Sequence, residues 1–235
     1  WCGGNELFNA WSGMTDQYLP LRLLNKLCYE LDTHTPFLPT APVSGMGHGP
    51  YGFLDPVTKE EIFAKMIHAR NTAYSECSST GPASVDILKS FIPENELFPP
   101  TPGGAWEDHH AFGAWDAEPD SHLLLSMMEK YFGKAENLDQ LIENGQFIQT
   151  AGMQCLFEEG RRQKPYCSMV LTWCYNEPWP CAAGGSAISW PLKPKPAYFA
   201  MKQSCRPVMA SAQIQKLVWT EGEVFKTAIW LLNDS

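Results

Sequence analysis

The chain has 235 residues, of which 44% are hydrophobic and 18% are charged, a composition typical of folded globular proteins rather than disordered ones. Its formal net charge of −9 argues against nucleic acids and anionic membrane surfaces as partners, because both bind basic proteins. The apolar runs, such as residues 168–175, are too short to span a bilayer. Enzymes, ligand-binding modules and structural interaction modules remain as the classes to distinguish.

Helical and extended patterns alternate over residues 1–205. Leu21, Leu24, Leu27 and Leu31 recur at three and four residues and predict an amphipathic helix. Further helices are predicted over 59–69, 82–92, 121–132, 138–162 and 195–205, strands over 35–44, 70–77 and 166–177, and a loop holding one very short strand over 45–56. Strands that alternate with helices and read as continuous apolar runs predict an α/β fold, whose parallel sheet is covered on both faces. Residues 93–120, rich in Pro, Gly and Trp, are predicted to form an irregular insertion.

The last thirty residues have a different pattern. Apolar and polar residues alternate from about 206 to 235, and Glu221-Gly222-Glu223 predicts a tight turn between two strands. We therefore predict a boundary after residue 205, with 206–235 forming the first strands of a separate antiparallel β-domain.

Two glutamates stand where a parallel sheet places catalytic groups. Glu76 ends the predicted strand 70–77, and Glu6 follows a glycine pair and Asn5. The carboxyl ends of parallel strands share one edge, so both carboxylates are expected there. Glycoside hydrolysis needs such a pair, one as proton donor and one as nucleophile or base. From the spacing alone, two solvent-exposed loop glutamates are the simpler interpretation.

Other chemistries have weaker support in the sequence. The run Gly47–Gly52 fits G-x-G-x-x-G, but Pro50 lies inside it and no helix follows, so it is not interpreted as a nucleotide loop. The eight cysteines form no C-x-x-C pair and are interpreted mostly as buried free thiols, and Cys77 has no neighbouring His in sequence to activate it. Cys174, Cys181, His109 and His110 are of the residue types that bind zinc, but their spacing matches no known zinc motif.

Four motifs resemble glycoside hydrolase family 2, in particular its β-mannosidase-like branch. They are WCGGNE at 1–6, YSEC at 74–77, LTWCYNEPWP at 171–180 and KPKPAYFAMKQSCRPV at 193–208. In that family they close barrel strands four, seven and eight and form the helix that leads into the next β-sandwich. The resemblance implies that residues 1–205 are the C-terminal half of a catalytic (β/α)8 TIM barrel, followed by the first strands of a β-sandwich domain. It also implies that the N-terminal barrel half and further sandwich domains belong to the same polypeptide.

The same resemblance implies roles for individual residues. Glu6 would be the general acid/base, Glu76 the nucleophile, Asn5 a partner of the sugar 2-hydroxyl and Trp173 the aromatic floor under the reacting sugar. Further residues that it places around the mouth of the site are His48, Tyr51, Trp106, His109, His110, Asn176, Glu177 and Trp179. Glu177 has an alternative role as a structural ion-pair partner. Cys77-Ser78 departs from the usual Phe-Gly after the nucleophile, which would change the packing behind Glu76.

The activity implied is that of a retaining exo-β-glycosidase of the β-mannosidase or β-galactosidase type, with a carbohydrate substrate and without metal or organic cofactor. Two alternatives stay open on the sequence. The first is a carbohydrate-binding protein that has lost catalysis, and the second is an interaction module that binds no sugar.

Overall fold

The computed structural model describes residues 1–55, 57–113 and 122–235. The helices within these ranges are α1 (Leu19–Leu31), α2 (Ile62–His68), α3 (Val85–Leu88), α4 (Ala105–Asp108), α5 (Leu125–Phe132), α6 (Leu138–Arg162) and α7 (Pro196–Ser204), with a 3-10 turn at Glu94–Glu96. The strands are β1 (Met46–His48), β2 (Ala73–Cys77), β3 (Gly81–Pro82), β4 (Val170–Thr172), β5 (Ala183–Gly184), β6 (Ile188–Ser189), β7 (Lys193–Pro194), β8 (Val208–Gln213) and β9 (Ala228–Asn233). In this part of the chain, no helix is both long and apolar enough to cross a membrane. The predicted insertion and the predicted helix 121–132 lie partly outside the described residues, at 114–121.

A three-stranded parallel sheet in the order β1-β2-β4 forms the centre of the fold. In its register Gly47 lies opposite Tyr74, and Cys77 lies opposite Thr172. Each strand reaches the next through a helical connection, as parallel pairing requires. The parallel sheet inferred from the alternation of patterns is therefore present.

The strand predicted over 35–44 is not continuous. Residues 1–6 run parallel to 38–41, but the pairing consists of two isolated bridges, Cys2 with Leu38 and Asn5 with Ala41. Pro36, Pro39 and Pro42 have no N–H to donate, so this apolar segment cannot form an extended ladder.

The strand predicted over 166–177 is also shorter than its apolar run, since the continuous strand is Val170–Thr172. β4 lies at the edge of the sheet, with β2 as its single neighbour, and Leu171 is exposed. The hydrophobic run therefore indicates that this segment contains a strand, but it does not give the number of residues in that strand. The helix predicted over 82–92 is similarly reduced to the single turn α3.

The 25-residue helix α6 organises the core. Its N-cap is Asn137, whose side chain accepts a hydrogen bond from the Gln140 backbone N–H at 2.9 Å. A Cβ added at Gly152 would lie 2.5 Å from Ser79 Cβ, so glycine is what allows the helix to approach the segment following β2. The helix thereby fixes the backbone just beyond Glu76.

The antiparallel pair β8–β9 follows α7, with Val208 opposite Asn233 and Gln213 opposite Ala228. The turn predicted at 221–223 is present, because the Glu223 N–H donates to the Thr220 carbonyl at 3.1 Å. It does not join the strands directly, however, since residues 214–227 separate them. The boundary after residue 205 stays a prediction.

Candidate active site

Glu6 is positioned by its pairing with the segment 38–41. Its N–H donates to the Ala41 carbonyl at 2.7 Å, and the next N–H, that of Leu7, donates to the Thr40 hydroxyl at 2.9 Å. Glu6 has a left-handed backbone with φ 55°, which is uncommon for a non-glycine residue and turns the chain at the end of the paired segment. The Glu6 side chain is 34% exposed, so solvent and ligands can reach it.

Glu76 is positioned by a strand with neighbours on both sides. His48 of β1 lies opposite it, and the Glu76 carbonyl accepts a hydrogen bond from the Gly49 N–H at 2.7 Å. On the other side, the following residue Cys77 lies opposite Thr172 of β4. The Glu76 side chain is 16% exposed and is thus more enclosed than that of Glu6.

One imidazole lies between the two carboxylates. His48 Nε2 is 2.9 Å from Glu6 Oε1 and 3.4 Å from Glu76 Oε1. The two carboxylate oxygens are therefore at most 6.3 Å apart, the sum of those distances. The other ring nitrogen, Nδ1, is 3.2 Å from the Ser75 hydroxyl, which donates to the Gly47 carbonyl and fixes the ring.

Tyr51 and Trp173 complete this cluster. The Tyr51 hydroxyl donates to Glu76 Oε1 at 2.8 Å, and its ring meets Trp173 edge-on at 5.6 Å. Burial of the phenol, followed by its hydrogen bond to Glu76, raises the pKa of Tyr51 far above its ordinary value. The phenol therefore remains a proton donor throughout the neutral range. Trp173 follows β4 and is half-buried. Its backbone N–H donates a hydrogen bond to the Cys77 carbonyl at 2.9 Å.

Cys77 has a structural role next to the site. It is fully buried, and its thiol donates to the Leu171 carbonyl at 3.3 Å. Burial raises the pKa of Cys77 to about 12, so the thiol stays protonated and is not a nucleophile. The residue that replaces the usual aromatic after Glu76 is thus packed against β4.

Asn5, Asn176 and Glu177 lie around this cluster in different settings. Asn5 and Asn176 are exposed at isolated bridges, where they remain accessible to a ligand. Glu177 instead points inward, and its carboxylate contributes, after burial, to raising the pKa of Cys181 to about 12. Buried Lys195 is also within its electrostatic influence. The structural alternative weighed for Glu177 therefore describes it better than a lining role.

The residues predicted at the entrance divide between the core and the surface. Trp106 is 1% exposed, and its indole N–H donates to the Glu96 carbonyl at 2.9 Å, so it is a core residue and its predicted lining role is corrected. His109 is half-buried, with a hydrogen bond of 2.7 Å from Nδ1 to the Pro180 carbonyl. Its ring is stacked against Trp179, with centroids 5.8 Å apart.

The zinc arrangement considered from the sequence does not form. Across residues 1–55, 57–113 and 122–235, no group of three or more His, Cys, Asp and Glu side chains has an arrangement that could hold a metal ion. All eight cysteines are free, but the expectation that most are buried holds for half of them. The buried ones are Cys77, Cys155, Cys167 and Cys181.

The register between β1 and β2 is what the sequence did not reveal. The glycine loop was expected to bring His48 and Tyr51 near the mouth, but nothing in its pattern shows that one imidazole contacts both carboxylates. That contact depends on a register shift between Gly47 and His48, which places His48 opposite Glu76. An irregularity of this kind has no sequence signature beyond the surrounding glycines.

Comparison with known proteins places this fold. No protein-family model matches the chain, and no similar sequence was found among curated proteins. Among solved structures, a β-D-mannosidase from Dictyoglomus thermophilum matches 100% of this chain with a TM-score of 0.74 and 22% identity, over 29% of its own length. An exo-chitosanase from Amycolatopsis orientalis matches 77% of this chain with a TM-score of 0.59 and 18% identity, over 23% of its own length.

The chain therefore has the fold of part of a glycosidase. Within that class, the likeness that covers the whole chain is to a β-D-mannosidase, which agrees with the family that the four motifs resemble. The chain spans less than a third of the length of either solved structure.

Proposed function

We propose that the protein to which this chain belongs is a retaining exo-β-glycosidase of family 2, with a terminal β-mannoside as the first substrate to test. The observation that carries the proposal is the convergence of Glu6 and Glu76 on His48, which limits their nearest oxygens to 6.3 Å. Retaining enzymes hold their carboxyl groups about 5–5.5 Å apart, whereas inverting enzymes separate them by about 6.5–9.5 Å to admit a water molecule. The shorter class fits this limit better.

The different surroundings of the two carboxylates suggest their roles. Glu76 accepts a hydrogen bond from Tyr51 and is the more enclosed, which suits a nucleophile held in one orientation for attack on the anomeric carbon. Glu6 is the more exposed and can exchange protons with solvent. In the proposed sequence, Glu6 protonates the leaving oxygen as Glu76 forms the glycosyl-enzyme, and Glu6 then activates the water that hydrolyses it.

The architecture supports the same assignment. Residues 1–6 run parallel to 38–41, and β1, β2 and β4 are parallel to one another, with each set in chain order as successive strands of a (β/α)8 barrel would be. We propose that they correspond to barrel strands four to eight and that the remaining strands come from the same polypeptide. Asn5 and Trp173 would then contact the sugar bound between the carboxylates.

The first test uses the full-length protein and aryl β-mannosides and β-galactosides. Glu76→Gln should abolish turnover, because no nucleophile remains to form the glycosyl-enzyme. Glu6→Gln should slow substrates with poor leaving groups far more than those with activated ones, since activated phenolates leave without protonation. Glu30→Gln, at an exposed position on α1, is the matched control and should leave the rates unchanged.

Turnover that survives Glu76→Gln would contradict the assignment. If the wild-type protein hydrolyses none of the glycosides but binds sugars in a calorimetric titration, it is a carbohydrate-binding protein without catalysis. An absence of both activity and sugar binding would indicate an interaction module.

A further inference from the structure

A second aromatic group lies apart from the Tyr51–Trp173 pair. It is a group of three rings, in which the His109 ring is 4.4 Å from that of Phe91 with a tilt of 38° and is stacked against that of Trp179 at 5.8 Å with an interplanar angle of 22°. The His109 ring is fixed by its hydrogen bond to the Pro180 carbonyl, and Trp179 also meets the ring of His110 at 6.4 Å. We refer to Phe91, His109 and Trp179 as the aromatic stack.

Trp179 differs from a tryptophan that fills the core. Trp179 is 40% exposed, whereas Trp106, in the predicted insertion 93–120, is 1% exposed. The Trp106 indole N–H is bonded to the Glu96 carbonyl, but among the described residues we find no acceptor for the Trp179 indole N–H. The stack thus packs against the indole of Trp179 and leaves part of this residue exposed.

The backbone around the stack ties it to the catalytic edge of the sheet. Trp179, like Trp173, follows the carboxyl end of β4. The Glu177 backbone N–H donates to the Ile188 carbonyl at 2.9 Å and anchors this segment. The Ala182 N–H donates to the His109 carbonyl at 2.7 Å, just before β5 pairs with β3. Trp179 is six positions after Trp173, so the Cα atoms of the two residues lie within about 22 Å of each other.

We propose that Trp179 is a sugar-binding platform for the leaving-group side of the substrate, where a later ring of a β-linked oligosaccharide stacks on the indole. This inference rests on the proposed glycosidase function and deepens it, since it makes an oligosaccharide rather than a simple glycoside the preferred substrate. A fixed, partly exposed aromatic face offers a large apolar contact at little entropic cost, and its free N–H can donate to a sugar hydroxyl. The apolar C–H face of a pyranose ring has the complementary chemistry.

The test compares two substrates of the full-length protein that differ only beyond the scissile bond. A β-mannosyl fluoride has no leaving-group ring to stack, whereas a β-linked mannotriose has two. We expect Trp179→Ala to lower the ratio of kcat/KM for the trisaccharide to kcat/KM for the fluoride by about tenfold, and Trp179→Phe to retain most of that ratio. Because each ratio is measured on one preparation, a partly unfolded variant does not change it.

Tyr166→Ala is the matched control, because Tyr166 is an exposed aromatic residue that precedes the amino-terminal end of β4. An unchanged ratio in Trp179→Ala, or an equal decrease in Tyr166→Ala, would overturn the platform. If the wild-type protein turns over neither substrate, the proposed function fails, and calorimetric titration of the trisaccharide into the wild type and Trp179→Ala then decides the platform by itself. Equal affinities would refute it, and a tenfold weaker affinity of the variant would support it.

Discussion

At the scale of single residues, the Glu76 carboxylate depends on a phenol that cannot readily ionise. The Tyr51 hydroxyl is 2.8 Å from Glu76 Oε1, and its raised pKa keeps the donor proton in place well above neutral pH. A hydrogen bond to a charged group contributes about 1.5–3 kcal/mol, and this one holds the carboxylate in one orientation.

We therefore expect Tyr51→Phe to lower kcat/KM for an aryl glycoside by roughly 10- to 100-fold, while the melting temperature changes little. Steady-state kinetics across pH 5–9 measures the effect. The alkaline limb of the wild-type profile should not be caused by Tyr51, because the raised pKa places its ionisation above that range.

The chain contains a matched control for this substitution. Tyr131 also donates to a carboxylate, with its hydroxyl 2.7 Å from Glu61 Oε1, and burial likewise raises its pKa. Tyr131→Phe removes the same kind of hydrogen bond away from the proposed catalytic pair. If it lowers kcat/KM as much as Tyr51→Phe does, the Tyr51 effect reflects general stability rather than positioning of Glu76.

The sequence allowed some of these residue roles to be anticipated and others not. Glu6 and Glu76 could be proposed in advance because they stand in motifs that resemble those of glycoside hydrolase family 2, whereas their spacing alone favoured two exposed loop glutamates. Trp106 is predicted at the entrance but is a core residue, and Glu177, for which a lining role and a structural role were both open, points inward. The sequence does not tell which way such a side chain points. The Trp106 side chain lies in the core, where its indole N–H donates a hydrogen bond to the Glu96 carbonyl.

At the scale of elements, helix α6 and the β8–β9 hairpin are joined by a buried ionic network. Arg162 pairs with Glu159 at 2.8 Å and with Glu158 at 3.3 Å, and it also donates to the Ser211 hydroxyl on β8. Burial raises the pKa of Glu159, and the charge and hydrogen bond of Arg162 oppose that shift.

Arg162→Ala should destabilise the protein by about 3–5 kcal/mol, because it leaves two buried carboxylates without their cation. Urea denaturation at pH 7.5 measures this, and hydrogen exchange should show loss of protection in β8 and β9 first. The destabilisation caused by Arg162→Ala should be smaller at pH 5 than at pH 7.5. Burial already raises the pKa of Glu159, and removal of the Arg162 cation raises it further, so the buried carboxyl takes up a proton more readily as the pH falls.

Lys26→Ala supplies the comparison for this network. Lys26 pairs with Glu30 at 3.7 Å on exposed side chains of α1, where an ion pair contributes at most about 0.5 kcal/mol. A loss in Arg162→Ala no larger than in Lys26→Ala would mean that the hairpin is held by its apolar contacts and not by the network.

Long periodic segments were predicted well, and short strands were not. The helix predicted over about 138–162 agrees with α6, because a helix forms its hydrogen bonds locally. Strand length depends on partners elsewhere in the chain, so the apolar run 166–177 overestimated β4. The segment 35–44 failed as a strand for a local reason, its three prolines, which could have been weighed against its apolar character.

At the scale of the whole molecule, the amphipathic pattern of α1 is confirmed as a helix, but its apolar face is not covered. Leu21 is the buried residue of this helix, while Leu24, Leu27 and Leu31 are exposed. Trp11, which precedes the helix, is exposed as well. Contiguous apolar patches of this kind mark interaction surfaces or association-prone regions in soluble proteins.

We expect the isolated 235-residue chain to self-associate and to bind a hydrophobic dye through this face. Because Leu24 and Leu27 are solvent-accessible, the double variant Leu24→Lys and Leu27→Lys should keep its far-ultraviolet circular dichroism while it loses most dye fluorescence and sediments as a smaller species. Leu192→Lys, at a highly exposed leucine between β6 and β7, controls for added charge alone and should not change association. A wild-type chain that sediments as a monomer without dye binding would show that α1 finds cover within the chain in solution.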